Sequence, residues 1–304
     1  MIRFHEVTKR FAGQMAVDRL SAHVRAGEVT ALLGPNGSGK TTSLKMAAGL
    51  VRPDEGTVTI GEPPLVAWTA AARARLSYLP QRVAFPDTLT GGEVVEFYRQ
   101  LRGAPPARSP EALRFAGLNG AGARAVSTYS GGMTQRLGLA VALLPDADAL
   151  LLDEPTASLD PEGLSAFYAL IEARRREGRT VLFTSHQVGD VDRLADRVLV
   201  LLKGARIADF TRETLREWLD ARGIMRVRTR TAAVALEAVR RVAPGAQIAG
   251  DEVVVAGPAA DRAAVLDAIR VSGCEIQGLV AENGRLEALY SELLDQASRA
   301  GARS

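Results

Sequence analysis

The stretch Gly34-Pro-Asn-Gly-Ser-Gly-Lys-Thr41 decides the fold of this chain. It spells G-x-x-x-x-G-K-[ST], and its surroundings are those the pattern needs. Before it, Glu28-Val-Thr-Ala-Leu-Leu33 reads as a short buried strand; after it, Thr42 to Leu50 reads as a helix. Glycines in such a turn let backbone N–H groups close around phosphate oxygens, and the helix N-terminus adds its positive dipole end. On this reading Gly34, Pro35, Asn36, Gly37, Ser38, Gly39, Lys40, Thr41 and Thr42 wrap the phosphates of a nucleoside triphosphate. Lys40 reaches the β- and γ-phosphates, and Thr41 offers its hydroxyl to Mg²⁺. Only four of the 38 basic residues are lysines, so a lysine at 40 stands out as a chosen, compact point charge.

At 304 residues the chain is long enough for two domains. A hydrophobic content of 47% and a charged content of 24% are those of a globular protein. The longest apolar runs, Leu137 to Pro145 and Val198 to Leu202, fall short of the ~20 residues that span a bilayer. No charged-then-apolar leader opens the chain, so no export is expected. The single cysteine, Cys274, excludes an internal disulfide and fits a reducing cytoplasm. A net charge of +3 is mild, and the cluster Arg174-Arg175-Arg176 with Arg179 reads as a solvated helix end. No aromatic interleaving argues for stacked bases, so no nucleic-acid partner is expected.

Outward from the phosphate loop, Ile2 to Val24 alternates as strands joined by polar turns, and Gly56 to Ile60 is another strand. Leu76 to Pro80 reads as a strand ending at Gln81, with an irregular loop over Arg82 to Thr88. Thr90-Gly-Gly-Glu93 is a capping-box pattern, after which Val94, Phe97, Tyr98 and Leu101 share one helical face. Gly103 to Pro110 is a proline-rich break, with helix expected from Glu111. Ala149 to Leu152 and Thr180 to Phe183 are short apolar strands separated by helix, as in a parallel sheet. Val198 to Leu202 and Arg206 to Phe210 form a closing hairpin around Lys203-Gly204. Beyond Trp218 the pattern resets: a linker at 219–224, then a βαββαβ series with a final helix over Leu286 to Ala297 and a frayed end at 300–304.

Leu150-Leu-Leu-Asp-Glu154 is a hydrophobic strand ending in two carboxylates, at the sheet edge where ligands bind. Asp153 would hold Mg²⁺ and Glu154 would polarise an attacking water. Just upstream lies Tyr129-Ser-Gly-Gly-Met133, followed by Thr134-Gln-Arg-Leu137. A bare Ser-Gly-Gly is ordinarily a turn. With Gln81, Ser158-Leu-Asp160 and His186, however, it closely resembles the ATP-binding subunit of ABC transporters, over residues 1 to 215 and with every motif in order.

The resemblance implies an ATPase that uses ATP and Mg²⁺, with two copies meeting head to tail. Each ATP would lie between one phosphate loop and the partner copy's Ser130, Gly131 and Gly132. It gives Glu154, His186 and Lys40 catalytic roles and adds Gln81, with Thr41 and Asp153, to the groups that sense the metal. Asp160 joins the nucleotide contacts, and Phe11 matches the aromatic that stacks on adenine, usually a tyrosine. Tyr129 stands where leucine is usual and Met133 where glutamine is usual. Both leave the Ser-Gly-Gly core intact while altering its rim. The fold implied is an α/β P-loop NTPase domain (residues 1–218) with antiparallel β and helical subdomains, plus a small ferredoxin-like α+β domain (225–304).

Relatives in chromosome maintenance and DNA repair place a long coiled coil between phosphate loop and signature; here Thr42 to Thr128 has no heptads. Translation-associated relatives carry two ATPase domains per chain, and this chain has one. A transporter subunit is favoured, peripheral on the cytoplasmic face of the membrane and bound to an integral-membrane permease. Tyr78-Leu-Pro-Gln81, Phe85-Pro86, Leu89-Thr-Gly91 and Leu286-Glu-Ala-Leu-Tyr290 further resemble the ATPase of the nitrous-oxide-reductase copper-maturation system. Drug, lipid or polysaccharide exporters share most of these features, as does an ATPase that remodels a membrane complex without moving solute. The residues add nothing for copper: one cysteine, five methionines and three histidines, with no Cys-x-x-Cys.

Overall fold

A computed structural model of the chain describes residues 1–284 and 286–301. It divides into two units, Met1–Asp209 and Phe210–Ser304.

The first unit opens with β1 (Ile2–Phe11), β2 (Gln14–Val24) and β3 (Val29–Leu33), followed by α1 (Lys40–Ala47). Next come β4 (Glu55–Ile60), β5 (Leu65–Val66), α2 (Ala70–Ala74) and β6 (Leu76–Leu79). Three helices follow, α3 (Gly91–Leu101), α4 (Arg108–Phe115) and α5 (Gly131–Ala142), which pack on one another. The chain then runs through β7 (Ala149–Asp153), α6 (Pro161–Arg176), β8 (Thr180–Ser185), α7 (Val188–Leu194), β9 (Arg197–Leu202) and β10 (Ala205–Thr211).

A six-stranded sheet has the order β10-β9-β3-β8-β7-β6, and β9, β3, β8, β7 and β6 run parallel. Every residue of β3, β7 and β8 is buried, which is why these strands read as mostly apolar runs with no polar–apolar alternation. The β9–β10 hairpin turns on Lys203 (φ 48°) and Gly204 (φ 85°), the positive pair a two-residue hairpin requires. A second sheet, β2-β1-β4-β5, is antiparallel. Its Ile2, Phe4, Leu20, Val58 and Ile60 share one core with Leu44 and Met46 of α1 and with Leu151, Leu182 and Leu199 of the parallel sheet. The phosphate-loop helix is thus clamped between the two sheets. The capping box forms as read: Thr90 Oγ1 accepts from Glu93 N, and Glu93 reaches back to Thr90 N.

The second unit contains α8 (Arg212–Asp220), β11 (Gly223–Thr229), α9 (Ala232–Arg240), β12 (Gln247–Ala249), β13 (Glu252–Gly257), α10 (Arg262–Val271), β14 (Ile276–Glu282) and α11 (Leu286–Gly301). Its sheet order is β12-β13-β11-β14, all antiparallel, which is the ferredoxin-like arrangement. Met225, Val227, Val253 and Val255 meet Ala235, Val239, Val265 and Ile269 of the two helices in one core.

Several boundaries differ from the sequence reading. The units divide after Asp209 and not at 218, because α8, capped by Thr211, belongs to the second unit. Residues 219–224 are no linker: they end α8 and open β11. The helix expected from Glu111 begins at Arg108, since Pro110 sits in its first turn, where no N–H is needed. On α3, Val94 is buried, but Phe97 and Leu101 of the same face are exposed. Part of the expected frayed end, 302–304, lies outside the described residues, and α11 continues to Gly301.

Candidate nucleotide site

The loop after β3 is built around absent side chains. A Cβ on Gly34 would collide with both Leu201 O and Ser38 Oγ. Gly39 has φ +98°, and its Cβ would meet Ala16 O at 2.5 Å. Only glycine satisfies both the conformation and the space there. Lys40 opens α1, is buried, and arches its ammonium back over the loop. Nζ donates to Gly34 O at 2.8 Å and Pro35 O at 3.1 Å. Burial lowers its pKa, while Glu154 and Asp153 pull it back up.

Across from the loop, Asp153 ends β7 at 1% exposure. Its Oδ1 accepts from Thr41 Oγ1 at 3.0 Å and from Thr184 Oγ1 at 2.8 Å. Its Oδ2 is buried without a hydrogen-bond partner. Burial raises the Asp153 pKa, and the two threonine hydroxyls oppose that rise. A buried, unsatisfied carboxylate oxygen next to the Thr41 hydroxyl fits a hydrated divalent cation, because an ionised acid there needs positive charge to offset its desolvation.

Glu154, one residue on, adopts φ +47°, a left-handed conformation that turns its side chain away from the strand direction. Its N–H donates to Thr184 Oγ1 at 2.8 Å. Gln81 Nε2 donates to Glu154 Oε2 at 2.8 Å, and His186 Nδ1 lies 3.4 Å from Oε1. Lys40, Thr41, Gln81, Asp153, Glu154 and His186 are therefore gathered at one sheet edge, the carboxyl ends of the parallel strands.

The remaining expected residues stand apart from this group. Ser130 caps α5, its Oγ accepting from Met133 N at 3.2 Å, so the N–H groups of Gly131 and Gly132 open that helix. Asp160 caps α6 by accepting from Gly163 N at 2.8 Å, and Arg136 Nη2 is 3.6 Å from its other oxygen. A Cβ on Gly132 would meet Ser158 O at 2.9 Å, so the signature and the Ser158-Leu-Asp160 turn abut. Phe11 is 48% exposed at the end of β1, with the Lys9 ammonium 5.4 Å from its ring centre. Among the described residues, no hydrogen bond or ion pair joins Ser130, Gly131 or Gly132 to the phosphate loop of the same chain.

Two residues escaped the sequence reading. Thr184 links Asp153 to the Glu154 backbone; the hydroxyl pair Thr184-Ser185 at the carboxyl end of a largely apolar strand is the available signal. Gly138 seats α5 against the segment around Gln81: its Cβ would lie 2.8 Å from Val83 Cγ1 and 2.9 Å from Leu79 Cδ1. Beside it, Pro80, Val83, Phe85, Tyr98 and Arg102 line a groove of ≈ 300 Å³.

Strand, glycine loop, helix and a facing acidic strand end define a P-loop nucleotide-binding protein. The ABC transporter family matches residues 17–157. The chain is 38% identical over 212 residues to the Nod factor export ATP-binding protein I of Burkholderia pseudomallei (strain K96243), covering 68% of this chain and 70% of that protein. It is 36% identical over 238 residues to the daunorubicin/doxorubicin resistance ATP-binding protein DrrA of Streptomyces peucetius, covering 77% and 72%. Among solved structures, a dimeric ATP-binding cassette in a post-hydrolysis state bound to ADP and Pi superposes with a TM-score of 0.64 at 25% identity, over 70% of this chain and 99% of that one. The chain belongs to the ATP-binding subunits of ABC transporters, a family of ATPases. Among the described residues, no helix is long and apolar enough to cross a membrane.

Proposed function

We propose that this chain is the ATP-hydrolysing subunit of an exporter, working as a head-to-tail pair on the cytoplasmic face of an integral-membrane permease. The observation that carries the chemistry is the 3.0 Å bond from Thr41 to Asp153, which brings two motifs 112 residues apart to one point. The relatives' names speak of Nod factor export and of drug resistance, and both favour an organic cargo. Neither names copper, so maturation of nitrous oxide reductase has no support from them.

In this reading the loop N–H groups and Lys40 hold the phosphates, and Phe11 stacks on the base through its exposed ring. Thr41, Asp153 and Gln81 hold Mg²⁺, which when bound supplies positive charge to the phosphate oxygens. Glu154 orients and deprotonates the attacking water, with His186 beside it to steady the γ-phosphate. Ser130, Gly131 and Gly132 of the other copy close the site from the far side, using the N-terminus of α5. Asp160 holds its turn against the signature of its own chain. The loop 82–89 and the groove beside it dock the permease, so movement there reaches Glu154 through Gln81.

The test is Glu154→Gln. The amide keeps the shape but loses the base, so hydrolysis should fall by orders of magnitude while ATP still binds. With Mg-ATP the variant should accumulate as a dimer in light scattering, and adding Ser130→Arg should abolish that dimer. Near-normal turnover in Glu154→Gln would remove Glu154 from its role. A dimer that survives Ser130→Arg would refute the composite site.

A further inference from the structure

The tip of α5 that carries Ser130 is thinly held by its own chain. Ser127, Thr128, Ser130 and Gly131 are exposed, and a Cβ on Gly131 would meet nothing within 4 Å. Of residues 127–131 only Tyr129 is partly buried. Its Oη donates to Ala121 O at 2.8 Å. The Arg124 guanidinium lies 6.0 Å from its ring centre and donates to Thr128 O at 3.0 Å. The tyrosine thereby folds residues 121–129 into a closed loop that ends at Ser130.

That loop is zipped by its backbone to residues 87–92, which lead into α3. Ser127 N donates to Asp87 O at 3.2 Å and Val126 N to Leu89 O at 2.8 Å. Gly91 N donates to Arg124 O at 3.2 Å and Gly92 N to Gly122 O at 2.8 Å. Tyr129 crosses this ladder at Gly91, where a Cβ would collide with Oη and lie 3.1 Å from Cζ. Gly91 opens α3 and has no positive φ, so the tyrosine and not the backbone calls for glycine there.

We infer that Tyr129 is a positioning residue for the composite ATP site. Its bond to Ala121 fixes the N-terminus of α5, so that Ser130, Gly131 and Gly132 meet the other copy's γ-phosphate in one orientation. The inference rests on the head-to-tail pairing proposed above. Hydroxyl and amide donors aimed at a phosphate act best when preorganised, because their freedom is then lost on folding and not on closure. Phenylalanine at 129 would keep the ring and lose the bond. Since the signature of one copy serves the ATP of the other, loss of the bond leaves ATP binding by a single copy unchanged and weakens the closure of two.

The full-length chain carrying Glu154→Gln tests this by light scattering with Mg-ATP over a range of protein concentrations. Tyr129→Phe should raise the concentration at which half the protein is dimeric by about three- to tenfold, the scale of one neutral hydrogen bond. Gly91→Ala keeps the tyrosine and suits a helix's first turn, and it should do the same by displacing Oη from Ala121. The two together should cost no more than the larger alone, since both break one bond. Affinity of dilute, monomeric protein for a fluorescent ATP analogue should stay within about twofold for all three variants. Without Glu154→Gln, each variant should lose ATPase rate in dilute protein and regain it at high protein concentration. An unmoved dimer midpoint, effects that multiply in the double variant, or a monomer affinity that falls in step with dimerisation overturns the inference. Ser130→Arg separates it from the pairing itself. A dimer that survives Ser130→Arg refutes the head-to-tail site, whereas one that Ser130→Arg abolishes and Tyr129→Phe leaves unmoved refutes only the role of Tyr129.

Discussion

The Gln81 side-chain amide donates to Glu154 Oε2 at 2.8 Å, so the segment after β6 is fastened to the carboxylate just beyond β7. An amide is the right group for this: it offers a donor without adding charge beside an acid. Gln81→Glu would set two carboxylates at that distance, and one of them would then hold its proton to a higher pH. The acid limb of the ATPase pH–rate profile should move upward by about one unit or more. A limb that stays in place would mean that Gln81 and Glu154 part before the rate-limiting step.

Asp153 is placed for chemistry at the expense of stability. Burial holds its pKa above the usual aspartate value, so the folded chain binds that proton more tightly than the unfolded chain does. Stability should therefore fall as pH rises from the unfolded value towards the raised folded one, and the ionised carboxylate is a burden at neutral pH. Asp153→Asn should raise the urea midpoint of the nucleotide-free protein at pH 7 while abolishing hydrolysis. The difference from wild type should narrow as pH falls towards ~4. A lower midpoint for the asparagine variant would show that the Thr41 and Thr184 bonds need the charge.

Lys40→Ala removes the ammonium that now bridges Gly34 O and Pro35 O. A charge-assisted hydrogen bond is worth about 1.5–3 kcal/mol, so ATP affinity should drop roughly ten- to hundredfold. Equilibrium binding of a fluorescent ATP analogue, alongside circular dichroism to confirm folding, measures this. Unchanged affinity would take Lys40 out of phosphate binding.

The two-unit division predicts that residues 1–211, ending with β10, bind ATP without the second unit. All the gathered site residues lie between Lys40 and His186. Affinity within about twofold of the full chain is expected by calorimetry, where 0.4 kcal/mol is roughly twofold. A folded fragment that has lost ATP would show that the second unit contributes to the site.

Much of this fold could be read from the chain because its signals are local. β3, β7 and β8 are apolar runs since both faces of the sheet are covered, and the Thr90–Glu93 box is written in four residues. The phosphate loop, Asp153 and Glu154 carry motifs of their own. The features that escaped depend on packing between distant segments. Thr184 gains its importance only when β8 lies beside β7, and Gly138 only when α5 meets Val83. The unit boundary differs from the sequence reading for a similar reason: α8 looks continuous with β10 along the chain, but its packing belongs to the second unit.

Gly138 has a mechanical consequence. About two turns along α5 from Ser130, it brings the helix backbone down onto Val83, with no side chain between to cushion the contact. Gln81, two residues before Val83, grips Glu154. A displacement of this short loop would therefore act like the pivot of a rocker arm, swinging the Glu154 carboxylate at one end and the Ser130 end of α5 at the other. The two outputs belong to different nucleotides if copies meet head to tail. One push from the membrane would then adjust both in a single stroke.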